Sequence, residues 1–175
     1  MSTVHMICGL PCAGKSTYAV GLQADLNNPV LFALDRWLIT AHGRYSLATV
    51  GHQEHTRRVL ACRDLMWDVA AEFLRRAVDV ILDDGFFLRQ NRIRHVALAR
   101  AVGAEVTIHF VDTPTLVIRS RLRARNAGLP PHNFEIDPET LTGFLGLFER
   151  PTEDEGAEIV TTCDPLPLTD GHSPE

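Results

Sequence analysis

Residues 9–17 read GLPCAGKST, between the apolar run at residues 4–8 and a stretch with apolar residues at helical spacing. The spacing Gly9-x4-Gly14-Lys15-Ser16 restricts the fold more than any other feature of the chain. Glycines let the backbone turn tightly through conformations that a Cβ disfavours. A turn set between a buried strand and the first turn of a helix aims its N–H groups inward, at the positive end of the helix. That nest suits an anion. Lys15 supplies a charge that reaches β- and γ-phosphates, and the Ser16 hydroxyl is a ligand for Mg²⁺. Gly9, Cys12, Ala13, Gly14, Lys15, Ser16 and Thr17 are therefore predicted to bind a nucleoside triphosphate, with ATP and Mg²⁺ as the expected pair. The Thr17 hydroxyl either touches the α-phosphate or only starts the helix.

The rest of the chain alternates strand and helix. Strands are predicted at residues 4–8, 30–34, 78–85, 105–111 and 157–161, and helices at 16–26, 36–41, 48–77, 90–102, 115–125 and 138–148. Asp137-Pro138 reads as an N-cap followed by proline at the first helical position. Strands that are apolar throughout and separated by helices imply a parallel sheet covered on both faces. With 175 residues, 45% of them apolar, the chain suits one α/β domain over residues 1–164. Residues 165–175, rich in Pro, Gly and Asp, are predicted to form a mobile tail.

A triphosphate loop serves switches, motors and phosphotransferases alike. The sequence lacks the Asn-Lys-x-Asp that reads guanine in GTPase switches. A phosphotransferase needs a base for the acceptor hydroxyl, a carboxylate near the metal and cations over the moving phosphoryl group. Asp35, in LFALDRWL, closes the second strand, where an open parallel sheet faces its ligand crevice. It is either the base or an N-cap. Asp83 and Asp84 end VILDDG. One is expected to hold a metal-bound water or orient the acceptor, the other to form the turn, and Asp84 is the preferred metal-side residue. RSRLRARN places Arg121 and Arg125 on one helical face. With the loop after it, this stretch reads as a lid over residues 119–137, or else as a solvated basic helix.

Several other residues point less sharply. Arg36 either holds an anionic group of the acceptor or makes a surface ion pair. Trp37, Phe86 and Phe87 belong to an acceptor pocket or to the core. His52 and His55 are expected to be exposed or packed rather than metal-bound, and residues 153–155 to form a solvated acidic turn. The net charge of −5 argues against a broad nucleic-acid-gripping face. Cys8, Cys12, Cys62 and Cys163 match no zinc or redox spacing, so reduced thiols in a cytoplasmic protein are expected. No signal peptide and no membrane span are expected either.

Together, GLPCAGKST, LDRWL, VILDDGFF with a following arginine, RLRARN and FERPTEDEG resemble the small P-loop kinases of the polynucleotide-kinase/zeta-toxin-like type. The resemblance runs from about residue 3 to 160. It implies a three-layer P-loop NTPase fold with a five-stranded parallel sheet in the order 2-3-1-4-5 and a helical lid. It also implies an ATP-dependent kinase with a hydroxyl acceptor; a monomer or homodimer is expected. By the resemblance Asp35 is the general base, Arg121 and Arg125 act on the phosphates, and Asp84 matches the acid after the third strand. One departure stands out. Where the polynucleotide kinases carry an arginine for the acceptor's phosphate, this chain has Leu38, with only Arg36 nearby. A small-molecule or nucleotide acceptor is therefore expected ahead of a 5′-hydroxyl polynucleotide, and a non-catalytic ATP-binding regulator is the remaining alternative.

Overall fold

A computed structural model describes residues Met1–Cys163. The expected tail at 165–175 lies outside the described residues. Five parallel strands, β1 (Thr3–Cys8), β2 (Val30–Ala33), β3 (Val80–Gly85), β4 (Glu105–Val111) and β5 (Glu158–Thr162), form one sheet in the order β2-β3-β1-β4-β5. Helices α1 (Lys15–Asp25), α2 (Leu34–His42), α3 (Leu47–Arg75), α4 (Arg89–Ala101), α5 (Thr115–Ala127) and α6 (Pro138–Leu147) connect and cover it, and a 3₁₀ turn (Glu153–Glu155) precedes β5. This is the α/β P-loop NTPase fold, with the strand order that the resemblance implied.

Alternation along the strands sorts the core into two layers. Val4, Met6 and Cys8 of β1 pack with Leu82, Ile108, Met66, Leu74 and Val96 on the face of α3 and α4. Ile7, Ile81 and Val111 pack with Ala19, Ile118, Leu122 and Leu141 on the face of α1, α5 and α6. The central strand β1 is buried along almost its whole length, whereas the edge strand β5 carries Glu158, Thr161 and Thr162. A polar edge discourages pairing with another chain.

Local boundaries differ from expectation in three places. Helix α2 begins at Leu34, so Asp35 lies in its first turn and Ala33 takes the N-cap position. The long helix is interrupted at Gly51 (φ 77°), the only residue within it with non-helical angles. Strand β3 starts at Val80 rather than residue 78, because Val78 N donates to Phe73 O and closes the end of α3. At the start of α6, Asp137 accepts from Thr140 N at 2.8 Å and Pro138 follows at the first helical position.

Candidate active site

The connection leaving β1 lies between β3 and β4, where the strand order reverses and an open α/β sheet forms its ligand crevice. Gly9 N donates to Gly85 O at 3.0 Å, tying the loop to the end of β3. A Cβ at Gly9 would stand 2.8 Å from Val111 O, and its φ is 151°, so the close approach admits only glycine. Cys12 (φ 60°) and Gly14 (φ 99°) turn the loop through left-handed angles. Its carbonyls are held by protein donors: Thr113 Oγ1 reaches Ala13 O at 2.7 Å, Arg121 Nη1 reaches the same oxygen at 3.4 Å, and Lys15 Nζ reaches Leu10 O at 2.8 Å. The amides that open α1 have no partner one turn back. The concave backbone therefore fits a phosphate.

Lys15 is the only lysine of the chain. Burial lowers the pKa of its ammonium, and the carboxylates of Asp83 and Asp35 oppose that shift. Both acids thus face the loop. Ser16 Oγ donates to Asp83 Oδ2 at 2.6 Å, a hard-oxygen pair suited to Mg²⁺ or its water. Among the described residues no group of three or more His, Cys, Asp or Glu could hold a metal, so such an ion would depend on phosphate oxygens as well. The Asp83 carboxyl is held above the ordinary range, chiefly by burial.

The preference for Asp84 beside the metal is corrected by this geometry. Asp84 turns to the opposite face, where Arg63 of α3 binds it with both ends of the guanidinium, at 2.5 and 2.6 Å, and only 4% of its side chain is exposed. The parity of β3 explains the difference: Asp83 shares the face of Ile81, towards α1, and Asp84 the face of Leu82, towards α3. The register against β1 also slips here, with Ile7 opposite Asp83 and Cys8 opposite Gly85.

Asp35 opens to solvent at the crevice mouth. The protein crowded around its other sides still raises its pKa to about 6; Lys15 and Arg125 oppose the rise, while Asp83 and Asp84 add to it. Arg125 Nη2 donates to Phe134 O at 3.2 Å, and its buried Nε has no partner among the described residues. The charges of Arg125, Lys15 and Arg121 all act on the Cys12 thiol, whose pKa burial raises. Arg121 and Arg125 thus lie beside the loop, in which Ala13 is buried and Ser16 and Thr17 are exposed.

Other expectations divide. Phe86 is core, Trp37 packs on Phe32 with ring centroids 5.9 Å apart, and the Phe87 ring stands 6.0 Å from Lys15 Nζ. His55 is packed against Tyr45, whose hydroxyl lies 3.1 Å from Nδ1. The acidic turn is not wholly solvated. Glu155 is buried and grips Arg92, and its carboxylate also accepts from Thr152 N. Arg63 sits among helical residues of α3 with nothing local to set it apart from a surface arginine.

A sequence profile, AAA_33, described as an AAA domain, matches residues 4–151. The chain belongs to this AAA domain family. Solved structures resembling this AAA domain protein include a candidate kinase of Chloroflexus aurantiacus, with 17% identity over 93% of this chain and 88% of that one and a TM-score of 0.72. Chaetomium thermophilum Kti12, in complex with ADP-AlF3, is 18% identical over 91% of this chain and 88% of its own, with a TM-score of 0.67. The Mycobacterium tuberculosis APS kinase CysC, in complex with AMPPNP and APS, is 20% identical over 91% and 88%, with a TM-score of 0.57. At such identities the likeness is one of fold, the fold of the small P-loop kinases. No curated protein matches the sequence. Among the described residues no helix is long and apolar enough to cross a membrane.

Proposed function

We propose that this AAA domain protein is an ATP-dependent kinase that transfers the γ-phosphoryl group to a hydroxyl of a small molecule or nucleotide. The observation that carries the reading is that the charges of Asp35, Lys15 and Asp83 act on one another beside the loop that follows β1. A protein that only stores nucleotide has no use for a carboxylate of raised pKa beside the phosphate-binding lysine. A kinase does, because the acceptor hydroxyl must lose its proton as the new P–O bond forms.

In this reading the loop amides and Lys15 bind the β- and γ-phosphates. Asp35 orients the acceptor hydroxyl and takes its proton at a carboxylate oxygen. Arg121 and Arg125 supply positive charge beside the loop, where the transferred group develops negative charge. Ser16, with Asp83 beside it, would hold Mg²⁺, whose charge offsets that of the triphosphate. Asp84, saturated by Arg63, serves to fix α3 against β3.

The acceptor is small rather than polynucleotide. Leu38 is 1% exposed and packed in the core, so its position cannot present a group to an acceptor phosphate, and the neighbouring Arg36 faces solvent. The test is ADP release from Mg-ATP across a panel of hydroxyl-bearing metabolites, nucleosides and antibiotics, with a 5′-hydroxyl oligonucleotide included. Stimulation by a small hydroxyl compound supports the reading. Stimulation by the oligonucleotide alone makes the protein a polynucleotide kinase. Tight ATP binding with no stimulating acceptor makes it a regulator.

A further inference from the structure

Arg92 and Glu155 form an ion pair whose side chains are both 0% exposed. Arg92 Nε and Nη2 donate to Glu155 Oε2 and Oε1, each at 2.7 Å. Enclosing two charges so completely has a large desolvation cost, and apolar side chains of similar volume are often as stabilising or more so. Stability alone therefore does not account for the pair. Its third contact suggests what does: Arg92 Nη1 donates to Phe86 O at 2.8 Å.

Phe86 is in an unfavourable conformation. Its φ is 46°, in the left-handed region that bulky side chains avoid, and Gly85 before it has φ 90°. Such angles persist only where the surroundings over-determine them, and they gather at functional sites. The peptides on either side do two things. Gly85 O accepts from Gly9 N, the first amide of the phosphate loop. Phe87 lays its ring 6.0 Å from Lys15 Nζ, so close to its own backbone that a Cβ at Gly85 would stand 3.2 Å from the ring.

The segment that supplies Glu155 holds the same turn from its far side. Glu149 N donates to Phe87 O at 2.9 Å, and Phe144 and Phe148 pack on the Phe87 ring at 5.2 and 6.2 Å. Thr152 N donates to Glu155 Oε1 at 3.1 Å and fixes that carboxylate.

We propose that the buried Arg92–Glu155 pair is a positioning element of the phosphate site, holding residues 85–87 in the turn that anchors Gly9 and sets the Phe87 ring over Lys15. Neither residue touches nucleotide; both act through the turn. The inference rests on the kinase reading for its purpose, but its geometry can be tested without nucleotide, because Lys15 is the only lysine.

Labelling with ¹³C-lysine gives a single side-chain resonance set, from Lys15, in the full chain. The variants are Phe87→Leu, the apolar pair Arg92→Met with Glu155→Leu, and all three together. Each is read by the Lys15 shift, by the thermal midpoint and by the Kd for Mg-AMPPNP. The apolar pair is expected to keep a cooperative thermal transition, move the Lys15 resonance in the direction that Phe87→Leu moves it, and weaken Mg-AMPPNP about tenfold or more. The combined variant is expected to be no weaker than the worse of its parents, as for residues acting through one path. Phe87→Tyr, which keeps the ring, should bind like the parent protein. If the apolar pair does not fold, Arg92→Lys replaces it, keeping the charge and losing the fork. A folded pair variant with an unmoved Lys15 resonance overturns the proposal, as do losses that multiply in the combined variant. If the parent protein does not bind Mg-AMPPNP, the kinase reading falls and the purpose proposed for the pair falls with it. Unchanged variants of a parent that does bind sink this inference alone.

Discussion

The Ser16 hydroxyl reaches the Asp83 carboxylate at 2.6 Å, so the first turn of α1 and the end of β3 share one hydrogen bond at the floor of the crevice. Asp84, next in sequence, has its back to that contact and both oxygens in the fork of Arg63. Two adjacent aspartates are thereby given separate partners.

Their substitutions should separate accordingly. Asp83→Asn is expected to keep the thermal midpoint, since burial already disfavours the charge there. It should reduce Mg-dependent turnover roughly 100-fold. Arg63→Ala leaves the Asp84 carboxylate buried and unpaired, at a cost of about 3 kcal/mol. Denaturant melts and Mg-ATP turnover on both variants check the division; loss of stability in Asp83→Asn with full turnover would refute it.

Lys15→Ala removes the chain's one lysine ammonium, the group proposed to bind the phosphates. A fall of roughly 10²–10³-fold in kcat/KM is expected, the size seen when a single charge-stabilising donor is removed. Lys15→Arg should not restore it, because a planar fork does not replace a compact point charge in a narrow loop. Steady-state ADP release measures both.

If Asp35 is the base, as proposed, its carboxyl, raised to about 6, should set the acid limb of turnover. A base acts only when ionised, so kcat should fall as pH drops through about 6 and level off above it. Because the folded pKa lies above the unfolded value, the ionised carboxylate detracts from stability at neutral pH. Asp35→Asn should therefore raise the thermal midpoint while sharply lowering turnover and leaving nucleotide affinity nearly unchanged. Retention of full activity in that variant removes Asp35 as the base.

A second pH effect arises away from the crevice. His109 Nε2 lies 2.9 Å from His5 Nδ1, and His109 Nδ1 lies 2.8 Å from the Tyr18 hydroxyl. Burial first, and then the neighbouring His5, lower the His109 pKa from 6.5 to about 4. The unfolded chain takes up a proton near 6.5 while the folded one resists it to about 4. The contribution to stability is thus whole above 6.5, falls as pH drops between those values, and levels off below about 4. The slope is at most about 1.4 kcal/mol per pH unit for one proton. Denaturant melts from pH 7 to 4.5 should show it, and His109→Gln should flatten it.

The loop itself was plain in the sequence, because its chemistry is local. Gly9 acts through its backbone, and Lys15 and Ser16 through side chains at the loop itself, so the pattern is readable from neighbouring residues alone. The strand–helix alternation was equally legible, since buried parallel strands are apolar throughout. Asp35 could be singled out because it follows the second apolar run, although it lies in the first turn of α2 rather than at the end of β2.

Tertiary structure decided what depends on facing. Whether Asp83 or Asp84 meets Ser16 turns on which layer Ile81 and Leu82 enter, and only the packed sheet sets that. Glu155 looked like part of a solvated turn because its partner, Arg92, lies far away in sequence and is brought to it by the docking of α4 beside the final turn. A local pattern specifies which chemistry a backbone can offer. The pairing of charges across the fold is settled only when burial removes water as the alternative partner.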